Sequence, residues 1–438
     1  MRTPTLAGWG GASVPGREHV GEDLPALSRG AGLSRGLGRS YGDSSLPGQG
    51  VEKVVSTRLA DRLLAFDPET GLLLAEAGLS LVEVLRWAVA RGFWVPSVPG
   101  TQYVTLGGMV ASDVHGKSHH RDGTFGRHVR SLLLRLADDR LITCSREENS
   151  DLFRATLGGM GLTGHILEVE LELERSPSPW IWGESLRLGD LDGMVAALRE
   201  SATRWPFTVG WLDTLASGRA LGRGVLFRGR WAEPGEAPRQ LPQPLRRRSL
   251  PFYLPEWALS TLSVSAFNRL YYLRHRRRPR PGLVHPEAFF FPLDAILGWN
   301  RLYGRRGFTQ YQCVLPEGER PGATRQVLAE LAASGAGSFL AVIKDCGPEG
   351  EGLLSFPRPG VSIAVDLPMG PGTQALVDRL NGRVIERGGR IYLTKDTLTR
   401  REHFQAMEAH RLLAFLEVKR RYDPEDRLRS AQYERLMR

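Results

Sequence analysis

The glycine run at 159–164, Gly-Met-Gly-Leu-Thr-Gly, has the spacing of a dinucleotide-binding turn, and the segment after it decides what the chain can fold into. Such a turn must open a helix, so that pyrophosphate meets the helix N-terminus. Here it opens a segment in which Val169, Leu171 and Leu173 alternate with Glu168, Glu170, Glu172 and Glu174. Period-two alternation puts the apolar side chains on a core and the acids in water, which is the pattern of an antiparallel strand. A Rossmann turn is excluded. The run RGLGRSYGD at 35–43 fails the same test, because Tyr41 stands at the third glycine position and no helical period comes next. His-Gly-Lys-Ser at 115–118 lacks the glycine a phosphate-binding P-loop needs four residues earlier, where the chain has Ala111.

Three separated loops rich in glycine and small polar residues remain, at 34–43, 98–117 and 157–164. Glycine lets the backbone approach a flat or phosphorylated ligand, and runs of free N–H groups form anion-binding nests. The residues alone leave two readings open: three ordinary tight turns, or three walls around one bulky cofactor.

The surrounding elements are mixed. Ser80 and Glu83 have capping-box spacing ahead of the apolar face Leu81, Val84, Leu85, Ala88 and Val89, so a helix is expected over 80–91, ended by Gly92. Strands are expected over 51–58, 72–78, 130–137 and 389–396, with a turn at Asp67-Pro68. The two prolines of 176–179 mark a boundary near residue 178. Phe404, Met407, Leu412, Phe415 and Leu416 give a helical face over 400–422 that Pro424 stops. At 438 residues the chain is long enough for about two or three domains.

Composition narrows the function classes. With 41% hydrophobic and 24% charged residues the chain is globular, not disordered. Its 3 cysteines are scattered and lack a zinc or redox spacing, which fits a reducing compartment. Neither a leader nor a spanning apolar stretch is expected, so the reading is cytoplasmic. His115, His119, His120 and His128 lie near Asp113 and Asp122 without a recognised ligand pattern, and no metal is expected.

The net charge of +10 is concentrated, since nine arginines face only Glu256 between 246 and 280. A nucleic-acid-binding surface spreads its cations more widely, whereas a local window fits one anionic patch. Within it, Leu259, Leu262, Ala266, Leu270 and Leu273 share a helical face. The window reads either as a peripheral contact with an anionic membrane or as a solvated insertion.

In order and spacing, RGLGRSYGD, PGTQYVTLGGMVASDVHGKSHH and GGMGLTG resemble the FAD-binding half of vanillyl-alcohol-oxidase-type flavoproteins, and more narrowly decaprenylphosphoryl-β-D-ribose oxidases. The narrower likeness continues through 221–230, 289–312, 339–348, 354–360 and 391–396. It implies an α+β, two-domain PCMH-type fold. Residues 1–178 and 390–438 would bind FAD, and 179–389, with the basic insertion 246–280, would form an antiparallel-sheet substrate domain.

By the same resemblance, FAD would be held by Arg35, Gly36, Gly38, Arg39, Ser40, Tyr41, Gly42, Gly100, Thr105, Gly107, Gly108, Ser112, His115, Gly116, Ile166 and Tyr392. Some relatives attach FAD covalently through a histidine where this chain has Arg39, so the bond here is expected to be noncovalent.

Oxidising an alcohol requires a hydride acceptor and a group that takes the hydroxyl proton. Lys395, Tyr41 and His115 are the implied catalytic residues, with Lys395 either base or charge stabiliser, and Lys117, Gln310, Gln312 and Lys344 would bind the sugar phosphate. The implied reaction oxidises C2 of a polyprenyl-phosphoryl ribose. A separate NAD(P)H-dependent keto-reductase would complete the epimerisation to the arabinose carrier. Arabinan-building members have a cysteine where this chain has Ala364. The alternatives are an aldonolactone or sugar-alcohol oxidase of the same fold, or an anionic lipid- or polymer-binding protein without catalysis.

Overall fold

The computed structural model describes residues 4–316 and 322–438; residues 1–3, at the start of the segment considered for a leader, and 317–321 lie outside it. A five-stranded antiparallel sheet runs in the order Leu141–Ser145, Val129–Arg135, His165–Glu172, Leu72–Glu76 and Leu63–Asp67. The alternation after the 159–164 turn sets its register: Val169 and Leu171 are fully buried beside Leu73, Leu132 and Leu134, and the intervening glutamates reach the surface. The Asp67-Pro68 turn joins a hairpin whose first strand, Leu63–Asp67, was not expected. Its outward residues break the apolar alternation.

The helix spans Leu81–Val89. The Glu83 carboxylate accepts from the Ser80 N–H at 3.4 Å and from its hydroxyl at 2.5 Å. Leu81, Val84, Leu85 and Ala88 are buried against the sheet, and Gly92, at φ +77°, ends the helix.

A second, eight-stranded antiparallel sheet begins at Ile181–Leu188, just after the prolines of 176–179. Its centre holds Phe207–Leu212, Ala341–Cys346, Gly360–Pro368 and Phe308–Pro316 side by side. Period two gives this sheet two distinct faces. Tyr311, Cys313, Leu315, Ile363 and Val365 enter a core shared with Leu376, Leu380, Phe404 and Phe415. Gln310, Gln312, Val342, Lys344 and Ala364 project from the other face and wall a cleft.

The strand expected over 389–396 is confined to Arg390–Ile391, which adds the last strand of the larger sheet. The chain then turns, with the Lys395 N–H donating to the Tyr392 carbonyl at 2.9 Å, and this turn delivers Lys395 into the cleft.

The next helix, Arg401–Tyr422, buries Phe404, Leu412 and Phe415 as the apolar spacing requires, and a short helix, Ala431–Leu436, closes the chain. Within the basic window the helix is Thr261–Arg274, because Ser260 caps it; Glu256–Leu259 form a separate 3-10 turn.

Arg435 ties these pieces together. Its guanidinium donates to both oxygens of Asp43 at 2.8 and 2.9 Å, to Asp396 at 2.8 Å and to the Thr399 carbonyl at 2.6 Å. Asp43 and Asp396 retain 15% and 7% side-chain exposure, so removing the cation leaves two largely desolvated carboxylates facing each other. Arg435→Ala is therefore expected to lower the unfolding free energy by about 3 kcal/mol. Denaturant titration checks this, and an unchanged midpoint would show that the cluster contributes nothing net.

Candidate active site

The cleft lies between the glycine loops and the polar face of the larger sheet. All the residues expected to bind cofactor or substrate line it except Gly42. A Cβ on Gly42 would lie 1.8 Å from the Asp396 carbonyl, so this glycine permits the close approach of two loops. Arg35 reaches the cleft, yet its guanidinium is engaged by Glu18 at 2.6 Å, by Ser45 and by the Ala7 carbonyl, which anchors the first loop.

Several features fit an extended flavin nucleotide. Gly100 and Gly161 have no atom within 4 Å of where a Cβ would stand, and Gly108 has only the Thr105 hydroxyl at 3.1 Å, so their bare faces open into the cleft. Gly36 and Gly116 instead pack against Thr105 and the Val98 carbonyl. The Arg39 guanidinium stacks over Trp9 at 4.3 Å and lies 5.8 Å from the Tyr103 ring, which sets a cation on the wall of the cleft.

The Tyr392 hydroxyl donates to the Ser112 carbonyl at 2.9 Å, and Asp113, at φ +38°, is held by Ser355 and by the Gly126 N–H. These bonds fix the 112–116 loop. His115 Nε2 lies 3.0 Å from the Gln312 side-chain amide, while its buried Nδ1 has no partner. Burial, reinforced by Lys344, holds this ring's pKa well below the usual histidine range, so His115 is neutral and offers Nδ1–H as an unused donor. An orphaned buried donor in such a cleft is a place for a ligand atom.

At the other end, Lys395 Nζ stands 3.7 Å above the Tyr41 ring, and the Tyr41 N–H donates to the Thr394 carbonyl at 2.9 Å. Tyr41 packs edge-on against Phe308 at 5.5 Å and near Trp299 at 6.2 Å. Burial and the Asp366 charge raise its pKa well above the phenol range, so it remains a neutral hydroxyl.

Asp366, which the sequence pattern did not single out, lies beneath. Fully buried, it accepts from Gln310 at 2.5 Å and from the Tyr303 hydroxyl at 2.8 Å, and burial pushes its carboxyl up to about 7. Desolvation lowers Lys395 to about 7, partly offset by Asp366. Lys117 is likewise lowered to about 7 by burial and by Lys344, and donates to the Phe290 carbonyl at 2.9 Å. Burial also lowers Lys344.

Asp294 is another residue without a sequence signature, and it pins the second loop by accepting from Thr101 at 2.7 Å and from the Gln102 N–H at 2.8 Å. The available signal for Asp366 was the alternation Ser362, Ala364, Asp366, polar or small residues on one side of an otherwise apolar strand.

Of the four clustered histidines, His115 and His119 pack edge-on with ring centres 5.9 Å apart, and the rest are drawn to other partners. His120 meets the Trp205 carbonyl, His128 the Asp122 carbonyl and His119 the Gly347 N–H. Among the described residues no three metal-ligating side chains form a group.

A two-domain α+β fold with a glycine-walled, cation-lined cleft defines an FAD-dependent oxidoreductase of the vanillyl-alcohol-oxidase type, and residues 23–145 match an FAD binding domain family. Decaprenylphosphoryl-beta-D-ribose oxidase of Mycolicibacterium smegmatis is 35% identical, over 97% of this chain and 95% of its own length. The chain belongs to that family. L-gulonolactone oxidase of Mus musculus is 30% identical over 26% of this chain, and a putative D-arabinono-1,4-lactone oxidase of Neurospora crassa 31% identical over 25%.

Lys117 predicts how an anion binds. Burial and the neighbouring Lys344 lower the Lys117 pKa to about 7 when the cleft is free, and a phosphate beside this lysine holds its proton on. Binding above that pH therefore takes up a proton, and affinity for a sugar phosphate falls as pH rises, by up to about tenfold per unit. Calorimetry in buffers of different ionisation enthalpy measures the uptake; a pH-independent affinity would contradict it.

Proposed function

We propose that the protein oxidises the C2 hydroxyl of a polyprenyl-phosphoryl-β-D-ribose to the 2-keto sugar, with FAD held noncovalently. The main support is the division of labour among the cleft's lysines. Lys395 sits over Tyr41 with a pKa near neutrality, as a proton acceptor requires. Lys117 and Lys344 form a separate cationic pair suited to a phosphate.

FAD supplies the acceptor for the carbon-bound hydrogen. Lys395 Nζ takes the hydroxyl proton as the carbonyl forms, and Tyr41 fixes the ammonium stem. Asp366 aims the Gln310 amide at the sugar and keeps positive charge available on Lys395 after proton transfer. His115 and Gln312 add hydrogen-bonding groups beside Lys344.

In this reading the 2-keto product passes to a separate NAD(P)H-dependent keto-reductase, which completes the epimerisation. Because a polyprenyl tail stays in a bilayer, the enzyme works at a membrane surface, on the cytoplasmic side of the inner membrane. An aldonolactone offers no phosphate for Lys117 and Lys344, and the lactone oxidases named above share only about a quarter of this chain.

Anaerobic bleaching of the flavin separates the substrates: polyprenyl-phosphoryl ribose is expected to bleach it and free lactones are not. Bleaching by the lactone alone would overturn the choice. Lys395→Ala should retain its FAD and lose substrate-driven bleaching by roughly 10²–10⁴-fold. Unchanged bleaching in that variant would remove Lys395 from the reaction.

A further inference from the structure

Exposed large apolar side chains are unevenly distributed. Of the seventeen among the described residues, twelve fall between Leu241 and Leu297. Single exposed hydrophobics need no explanation, but a contiguous concentration marks an interaction surface.

The Thr261–Arg274 helix carries the centre of this surface. Its inward face is Val264 and Asn268, both buried, while Leu262 is 81%, Leu270 71% and Leu273 53% exposed. Trp257, in the 3-10 turn before the helix, is 77% exposed. These leucines, with Ala266, are the part of the sequence's apolar stripe that the structure turns away from the core, whereas Leu259, in the 3-10 turn, packs against the cluster of Trp299, Tyr303 and Phe308.

That orientation is locked. Asn268 donates to Asp213 at 2.9 Å and to the Ser338 carbonyl at 3.2 Å, and the Tyr271 ring lies 4.7 Å from Trp211. Rolling the leucines inward would break a buried amide–carboxylate contact.

Cations frame the stripe. Arg269, Arg274, Arg276, Arg277, Arg278 and Arg280 form no salt bridge with any described residue, and Glu256, the window's one acid, is held by Arg306 at 2.7 Å. The surface also continues to the cleft. Arg248 and Ser249 pair with Ile296 and Leu297, which are each 40% exposed and line the cleft's rim. No helix among the described residues is long and apolar enough to cross a membrane. An outward apolar stripe flanked by unpaired arginines matches the headgroup–acyl boundary of an anionic bilayer.

We propose that the outer face of the Thr261–Arg274 helix, with Trp257 and the flanking arginines, docks on an anionic phospholipid bilayer and sets the cleft's mouth at the lipid surface. This deepens the reading of a lipid-carried substrate and rests on it for its purpose. The test omits the substrate, so the two fail separately.

Holoenzyme is sedimented with vesicles of phosphatidylcholine alone or mixed with phosphatidylglycerol. Salt-sensitive binding to the mixed vesicles, at least about tenfold over the neutral ones, is expected. Leu262→Asp/Leu270→Asp and, separately, Arg276→Gln/Arg277→Gln/Arg278→Gln should each reduce it about tenfold while keeping FAD colour and thermal midpoint. Equal binding to both vesicle types, no binding, or binding that survives both variants would overturn the proposal. So would a dimer that Leu262→Asp/Leu270→Asp converts to monomer without any loss of vesicle binding, since the stripe would then be a subunit interface.

Discussion

A single guanidinium, that of Arg435, holds together the loops that carry Tyr41 and Lys395. Asp43 lies two residues beyond Tyr41, Asp396 directly follows Lys395, and Arg435 binds both carboxylates at once. Because the cluster is largely removed from water, its geometry resists loosening. The backbone bond from the Tyr41 N–H to the Thr394 carbonyl then brings the two loops into register, and the ammonium comes to rest over the ring. The proposed reacting end is thus assembled from three distant stretches of chain.

The electrostatics of the cleft arise from the same enclosure. Three half-buried lysines share a space whose carboxylates are already engaged, Asp366 by Gln310 and Tyr303 and Asp294 by Thr101 and the Gln102 N–H. Desolvation and mutual repulsion hold Lys117 and Lys395 near neutrality, poised between charged and uncharged forms. Such a site is tuned for a ligand that brings negative charge and carries a proton to be removed. Neutral His115, with a free donor, contributes direction without charge.

The sequence was most legible where a local rule acts. The alternation of Val169, Leu171 and Leu173 with glutamates excluded a Rossmann turn and foretold the antiparallel sheet; the Ser80–Glu83 box foretold a helix. What could not be read depends on long-range register. Asp366 joins Gln310 only because Gly360–Pro368 pairs with Phe308–Pro316 in one particular register. The Tyr392–Lys395 segment reads as a strand by composition, yet its turn, not a strand, presents the lysine. That Gly42 also lets two loops meet, with the Asp396 carbonyl against its bare face, is a tertiary fact no local pattern carries. The stripe of the 261–274 helix was visible, but whether it faced core or solvent was decided by Asn268 and Asp213.

Everything rests on three remote turns forming one flavin cradle, and the bare faces of its glycines allow a direct test. Neither Gly100 nor Gly108 has the positive φ that penalises a side chain, and neither has crowding neighbours apart from the Thr105 hydroxyl, so Gly100→Leu/Gly108→Leu should fold normally while filling the cradle. The measurement is FAD bound per folded chain, read from absorbance after acid release. The account predicts one FAD for the parent protein, released by acid, and a small fraction of that for the variant at unchanged far-UV circular dichroism. A well-folded variant with its full complement of FAD would contradict it.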